Sequence, residues 1–155
     1  MTGGIWPVAD LLPHEGPAVL LDEVVACSET GLSACVTIGS ESAFFQSHGV
    51  PAHVGLEYMA QACGVFRGIS ARRAGEAPRV GLILGTRRYV ATRAWFTDGV
   101  RLVVTSDLVY RDEEVGVFDC VICDDGEAIA KAQLIVAEPN NVAALLGGQG
   151  GTDDA

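Results

Sequence analysis

The 155-residue chain is long enough for one domain with a substantial core. Its 49% hydrophobic content excludes wholesale disorder, and no stretch approaches the roughly 18–20 unbroken apolar residues that span a bilayer. A net charge of −10 argues against a general nucleic-acid surface, so neither nucleic acid nor a membrane is an expected partner.

In chain order, Met1-Thr2-Gly3-Gly4-Ile5-Trp6-Pro7 lacks the basic start and apolar run of a signal peptide, which points to a cytoplasmic setting. Val8 to Leu12 suits a short helical turn before Pro13. Ala18 to Cys27 is rich in Val and Leu, Leu32 to Ile38 alternates, and Glu29-Thr30-Gly31 between them predicts a hairpin. Ser40 to Val50 reads as loop. Pro51 is well placed at a helix start, and apolar or small residues run from there to about Ala71. Val54, Leu56, Met59, Ala60, Ala62, Cys63, Val65, Phe66 and Ile69 leave little polar face before Arg72-Arg73. A helix apolar around most of its girth must be wrapped by other structure.

Gly75 to Pro78 ends the helix, and four strands are predicted after it: Arg79–Ala91, Val100–Arg111, Glu114–Cys123 and Ala128–Ala137. Thr97-Asp98-Gly99 and Asp124-Asp125-Gly126 carry hairpin-turn chemistry, and short turns predict antiparallel neighbours. The domain is expected to span 1–138, with 139–155 a flexible, Asn- and Gly-containing tail. Two strands, one buried helix and four more strands make an α+β chain. A single hotdog domain, a curved antiparallel sheet wrapped around one long central helix, satisfies that layout. The competing arrangement is an open sheet with the helix on one face. Small residues at 60, 62, 63, 64 and 68 favour close wrapping.

The candidate chemistry lies where Phe44-Phe45-Gln46-Ser47-His48 precedes Glu57-Tyr58-Met59-Ala60-Gln61. A carboxylate rarely enters so apolar a helix unless partnered or used, and a neighbouring imidazole supplies the other half of an acid/base pair. The plainer alternative is a solvated first-turn Glu57, favoured by the helix dipole, and an ordinary loop histidine. No cysteine is assigned chemistry. Cys120 and Cys123 would point to opposite faces of a strand, Cys27 and Cys35 flank a turn and could face each other, and Cys63 reads as a packing residue. Residues 60–105 carry eight arginines against two acids. That basic middle suits an anionic partner if it forms one patch, and nothing if it scatters.

Several segments, in order, resemble the hotdog-fold 3-hydroxyacyl-(acyl-carrier-protein) dehydratases, and more narrowly the dehydratase-like proteins of aryl-polyene-type gene clusters. They are Leu12-Pro13-His14 with Leu20-Leu21-Asp22, Phe44 to His48, Pro51 through Gln61, and Gly81 to Tyr89. The resemblance covers Leu12 to Glu138. It implies His48 as catalytic base and Glu57 as catalytic acid, with His14 a supporting or alternative base; His53, four residues before Glu57 and so on the same helix face, ranks third, its expected role a plain side-chain pair or an N-terminal helix residue. It also implies a homodimer in which His48 of one chain meets Glu57 of the other, or a hetero-oligomer with another hotdog subunit. The implied substrate is an acyl chain on the phosphopantetheine arm of an acyl carrier protein, with Arg87 and Arg88 as contacts. One departure stands out: His48 precedes Glu57 by a spacing shorter than the family's, without its Phe-Pro-Gly, and Ala52 replaces the glycine after the helix-start proline.

The expected reaction is loss of water from a 3-hydroxyacyl thioester to the trans-2-enoyl thioester, as in fatty-acid, polyketide or aryl-polyene biosynthesis. Neutral His48 takes the C2 proton and protonated Glu57 donates to the departing hydroxyl. Amides at the helix start, Ala52 foremost, are candidate donors to the enolate oxygen. The chemistry requires no metal and no redox cofactor. The alternatives are a hotdog thioesterase, using a carboxylate to activate water, and a non-catalytic acyl-binding subunit that partners an active dehydratase.

Overall fold

The structure, a computed structural model, describes residues 19–75, 82–112 and 115–137. Strands β1 (Glu23–Cys27) and β2 (Gly31–Thr37) are followed by the short β3 (Val50–Pro51), a 3-10 turn (Ala52–Val54) and helix α1 (Gly55–Arg73). Then come β4 (Leu82–Ala91), the short β5 (Trp95–Phe96), β6 (Arg101–Arg111), β7 (Val115–Asp124) and β8 (Glu127–Ala137). The predicted turn at Val8–Leu12, His14 and the tail from Pro139 lie outside the described residues.

Six strands form one sheet in the order β1-β2-β6-β7-β8-β4, antiparallel throughout. The first hairpin forms as predicted, closed where the Ser28 hydroxyl accepts from the Gly31 amide at 3.1 Å. The β7–β8 turn uses Asp125 and Gly126, both with positive φ (50° and 83°), the two-residue geometry that matches the twist of the strands it joins. The Thr97-Asp98-Gly99 turn does something else. It does not make neighbours of β4 and β6, because both edges of β6 are taken, by β2 and by β7. β4 therefore pairs with the free edge of β8. The intervening chain crosses the start of the helix, where β5 pairs with β3.

The sheet curls around α1. Tyr58, Met59, Ala62, Cys63, Val65, Phe66 and Ile69 are buried against it. Phe66 meets Phe118 of β7 edge-to-face at 5.8 Å, and Tyr58 stacks on Phe96 at 6.1 Å. These contacts place one long helix inside a curved antiparallel sheet, which is the hotdog fold. Among the described residues no helix is long and apolar enough to cross a membrane.

The cysteines are packing residues. Cys120 points inward, Cys123 does not, and the Cys63 and Cys120 sulfurs touch at 3.8 Å. Burial, and then its Cys120 neighbour, push the Cys63 thiol well above the ordinary range, so it stays protonated and inert. Cys27 and Cys35 do not face each other: the hairpin register sets Cys27 against Leu32 and Cys35 against Glu23.

Candidate active site

The site is built from the turn before β3 and the first turns of α1. Gln46 and Gly49 exchange backbone hydrogen bonds of 2.7 and 2.9 Å, so Ser47 and His48 form the tip of a tight turn. Gly49 has φ +116, and a side chain there would run into the backbone carbonyl of Phe96. Only glycine fits this close approach. The same Phe96 pairs with Val50, and Trp95 with Pro51, so the turn is anchored on β5. The His48 ring rests against Trp95, with centroids 5.2 Å apart, and its outer side is exposed.

Glu57 projects from the first turn of α1, on the side the sheet leaves open. One oxygen, Oε2, accepts from the Gln61 amide nitrogen at 3.2 Å. Gln61 is 1% exposed, and its carbonyl oxygen accepts the Leu20 backbone N–H at 2.8 Å. At the helix entry the Tyr89 hydroxyl donates to the Ala52 carbonyl. Burial raises the Tyr89 hydroxyl to about 12, so it remains a donor. A Cβ on Gly55 would lie 2.5 Å from that hydroxyl and 2.9 Å from Ile122 Cδ1. Glycine at 55 thus lets β4 and β7 close over the helix start.

The expected residues meet different fates. His48 and Glu57 flank one end of the helix, both exposed, and no hydrogen bond or ion pair joins them within the chain. His53 is exposed in the 3-10 turn and forms no ion pair with Glu57 among the described residues. Ala52 needs correction as a donor: its N–H is given to the Ala94 carbonyl at 2.9 Å, extending the β3–β5 ladder by one bond. Arg87 and Arg88 are exposed on β4, Arg88 in a bulge with φ 54°. Arg93 is tied to Asp124 at 2.7 Å and Glu127 at 3.7 Å. Arg72 and Arg73 end the helix, so the described arginines are spread over several elements.

Gln61, Trp95 and Tyr89 were not foreseen. Gln61 could have been found, since it lies four residues after Glu57 and thus on the same helix face. Trp95 and Tyr89 reach the site only through strand pairing. A hollow of about 650 Å³ lies nearby, beside Leu20, Val36 and Tyr58. Among the described residues its rim carries Asp22, Glu41 and Asp98 and no basic side chain, the wrong sign for a phosphate-bearing arm. Among the described residues no His, Cys, Asp and Glu side chains gather as they would for a metal ion.

The fold is that of a hotdog protein, with His48 and Glu57 exposed near the helix start, and known proteins place it further. Residues 6–147 match the ApeP-like family, described as ApeP dehydratase. The chain is 32% identical over 135 residues to the 3-hydroxyacyl-[acyl-carrier-protein] dehydratase FabZ of Psychrobacter arcticus, covering 81% of this chain and 90% of that one. It is 31% identical over 150 residues to FabZ of Teredinibacter turnerae, covering 86% and 95%. Among solved structures, a chain of the dehydratase heterocomplex ApeI:P from Xenorhabdus doucetiae superposes with a TM-score of 0.85 at 31% identity, covering 92% and 97%. A hypothetical thioesterase from Streptococcus pneumoniae with coenzyme A matches at 12% identity and a TM-score of 0.60, a likeness of fold alone. The chain belongs to the ApeP-like dehydratase family, and it is a dehydratase of the 3-hydroxyacyl thioester class.

Proposed function

We propose that the protein removes water from a 3-hydroxyacyl thioester borne on an acyl carrier protein, with His48 and Glu57 as the reacting pair. The observation that carries this reading is their placement: both stand exposed at one end of the helix, each held by its own neighbour, Trp95 and Gln61. Neutral His48 takes the C2 proton, and the electron pair moves into the thioester as an enolate. Its return forms the C2–C3 double bond as the C3–O bond breaks, and Glu57 delivers the proton that makes the hydroxyl leave as water. Proton return from His48 to Glu57 resets the pair. With the Ala52 amide engaged, the donor to the enolate oxygen is the next amide of the 3-10 turn, that of His53.

The pair is completed between chains. In support, no hydrogen bond or ion pair joins His48 and Glu57 within one chain, and among the described residues β4 is a sheet edge, exposing Ile83, Leu84 and Val90. Such an edge requires a partner or protection. A second copy, or a related hotdog subunit, would take it, and Arg87 and Arg88 on that strand would meet the anionic arm of the substrate. A cytoplasmic setting suits a carrier-protein substrate.

The test is mass spectrometry of a 3-hydroxyacyl carrier-protein thioester incubated with wild type, His48→Ala and Glu57→Gln. Loss of one water from the acyl group with wild type, and a fall of at least about a hundredfold with either variant, is the expected result. Dehydration that survives His48→Ala would shift the base to His14. Release of free acid would make the protein a thioesterase. Turnover that appears only on adding a second hotdog subunit, and persists in both variants, would make this chain the non-catalytic partner.

A further inference from the structure

We propose that Trp95 acts on the reaction through His48: its indole ring stabilises the positive charge that His48 acquires on taking the C2 proton. The inference rests on His48 being the base and goes beyond that reading by naming what supports the charged base. The ring centroids of His48 and Trp95 lie 5.2 Å apart, with the planes tilted by 49°. That is inside the roughly 6 Å over which a cation is drawn to an aromatic ring. Among the described residues the His48 side chain makes no ion pair and no hydrogen bond, so no carboxylate within the chain stands ready to balance it. Trp95 itself is held from both sides. The Ala94 carbonyl before it accepts the Ala52 N–H at 2.9 Å, and Phe96 after it is buried and paired with Val50. The indole is therefore in place before substrate arrives.

The timing of the two proton transfers makes this contact matter. When the electron pair of the C2–H bond enters the thioester as an enolate, the proton goes to the imidazole and His48 becomes a cation. Glu57 still holds its own proton at that moment, so it is neutral and offers the imidazolium no counter-charge. The indole does, because its π system is electron-rich. A neutral imidazole gains only the ordinary attraction of an aromatic pair, whereas an imidazolium gains the cation's share as well. The contact is thus stronger after proton transfer than before it. An interaction that strengthens on the way to the transition state raises kcat without tightening substrate binding. The outer side of His48 is exposed, and an acyl thioester bound there displaces water and strengthens the attraction further. Once Glu57 has protonated the leaving hydroxyl it is a carboxylate, and it recovers a proton from the imidazolium.

The test replaces Trp95 site-specifically with tryptophans that carry increasing numbers of ring fluorines. These keep the shape of the side chain nearly unchanged while draining electron density from the ring. With the carrier-protein thioester, kcat is expected to fall stepwise with fluorine number, by about three- to thirtyfold across the series, and KM to stay within about twofold. Trp95→Leu, which has no π system, is expected to fall at least as far. A ring that merely props His48 in place would not respond to fluorine number. A kcat that is flat across the series, a loss confined to KM, or wild-type kcat in a folded Trp95→Leu would overturn the proposal. His48→Ala separates the two levels of the argument. Full activity in His48→Ala removes the base assignment itself, whereas an inactive His48→Ala beside a flat fluorine series removes only the role of Trp95.

Discussion

The two faces of the central helix obey different rules. One carries Tyr58, Met59, Ala62, Cys63, Val65, Phe66 and Ile69, sealed against the sheet. The other carries Glu57, exposed, and Ala60, Gly64 and Arg67, half-buried. The first face is fixed by volume, since every side chain has neighbours on all sides and a lost methylene is felt. The second is fixed by direction: Glu57 has little around it, yet one hydrogen bond from Gln61 sets its orientation. Gln61 joins the two faces, buried itself while its amide reaches the exposed carboxyl. If Glu57 is the acid proposed above, stability and chemistry are separable along a single helix.

That separation can be tested by substitution. Phe66→Ala on the sealed face should destabilise the fold by about 3–5 kcal/mol, read as a lower denaturation midpoint in urea. Glu57→Gln should leave that midpoint unchanged while dehydration is lost. If Glu57→Gln also unfolds the protein, the two faces are not separate. At the seam between them, Gly55→Ala should cost about 1–3 kcal/mol despite alanine's better helix propensity, because the new methyl meets Tyr89, Ile122 and Phe96. Adding Tyr89→Phe should return part of that loss by removing the atom nearest the methyl, and a double-mutant cycle measures the coupling.

Alkali probes the same seam. The hydroxyls of Tyr58 and Tyr89 are raised to about 12, by burial in both and for Tyr58 also by the Asp22 charge. The folded state holds these protons more tightly than the unfolded chain, whose tyrosines titrate near 10. The resulting stability is complete below about pH 10 and is lost as pH rises through about 12. Tyrosinate absorbance should therefore show two late groups that titrate together with unfolding. Arg93→Ala is expected to have the smallest effect, about 1 kcal/mol or less and shrinking with added salt. The Arg93 and Asp124 side chains keep 35% and 24% of their surface in water, and Arg93 lies away from both helix faces.

Much of this could be read from the sequence. The hairpin at Glu29-Thr30-Gly31, the helix beginning behind Pro51 and the strands after it follow from turn chemistry and apolar patterning, which act over a few residues. Glu57 and His48 stood out as candidates because a carboxylate in an apolar helix is costly enough to demand a reason. The donor role given to Ala52 failed for a reason of long range: its amide is consumed by Ala94, and only the β3–β5 pairing brings those residues together. Trp95 behind His48, and Tyr89 on the helix entry, were hidden in the same way.

By itself the sequence determined the central helix and the long strands but not the short β3 and β5, and it marked which helix residues are apolar enough to need a sheet around them and which polar side chains stand out against that background. Each of these is set by neighbours a few positions apart. Tertiary structure alone decided that β4 joins β8 instead of β6, that the Ala52 amide is occupied, and that Gln61 faces Glu57 with its nitrogen. Those outcomes depend on which strand edges are already taken and on where a single distant N–H, that of Leu20, comes to rest. Edge pairing and hydrogen-bond direction are properties of groups brought together in space, and no local pattern along the chain encodes them.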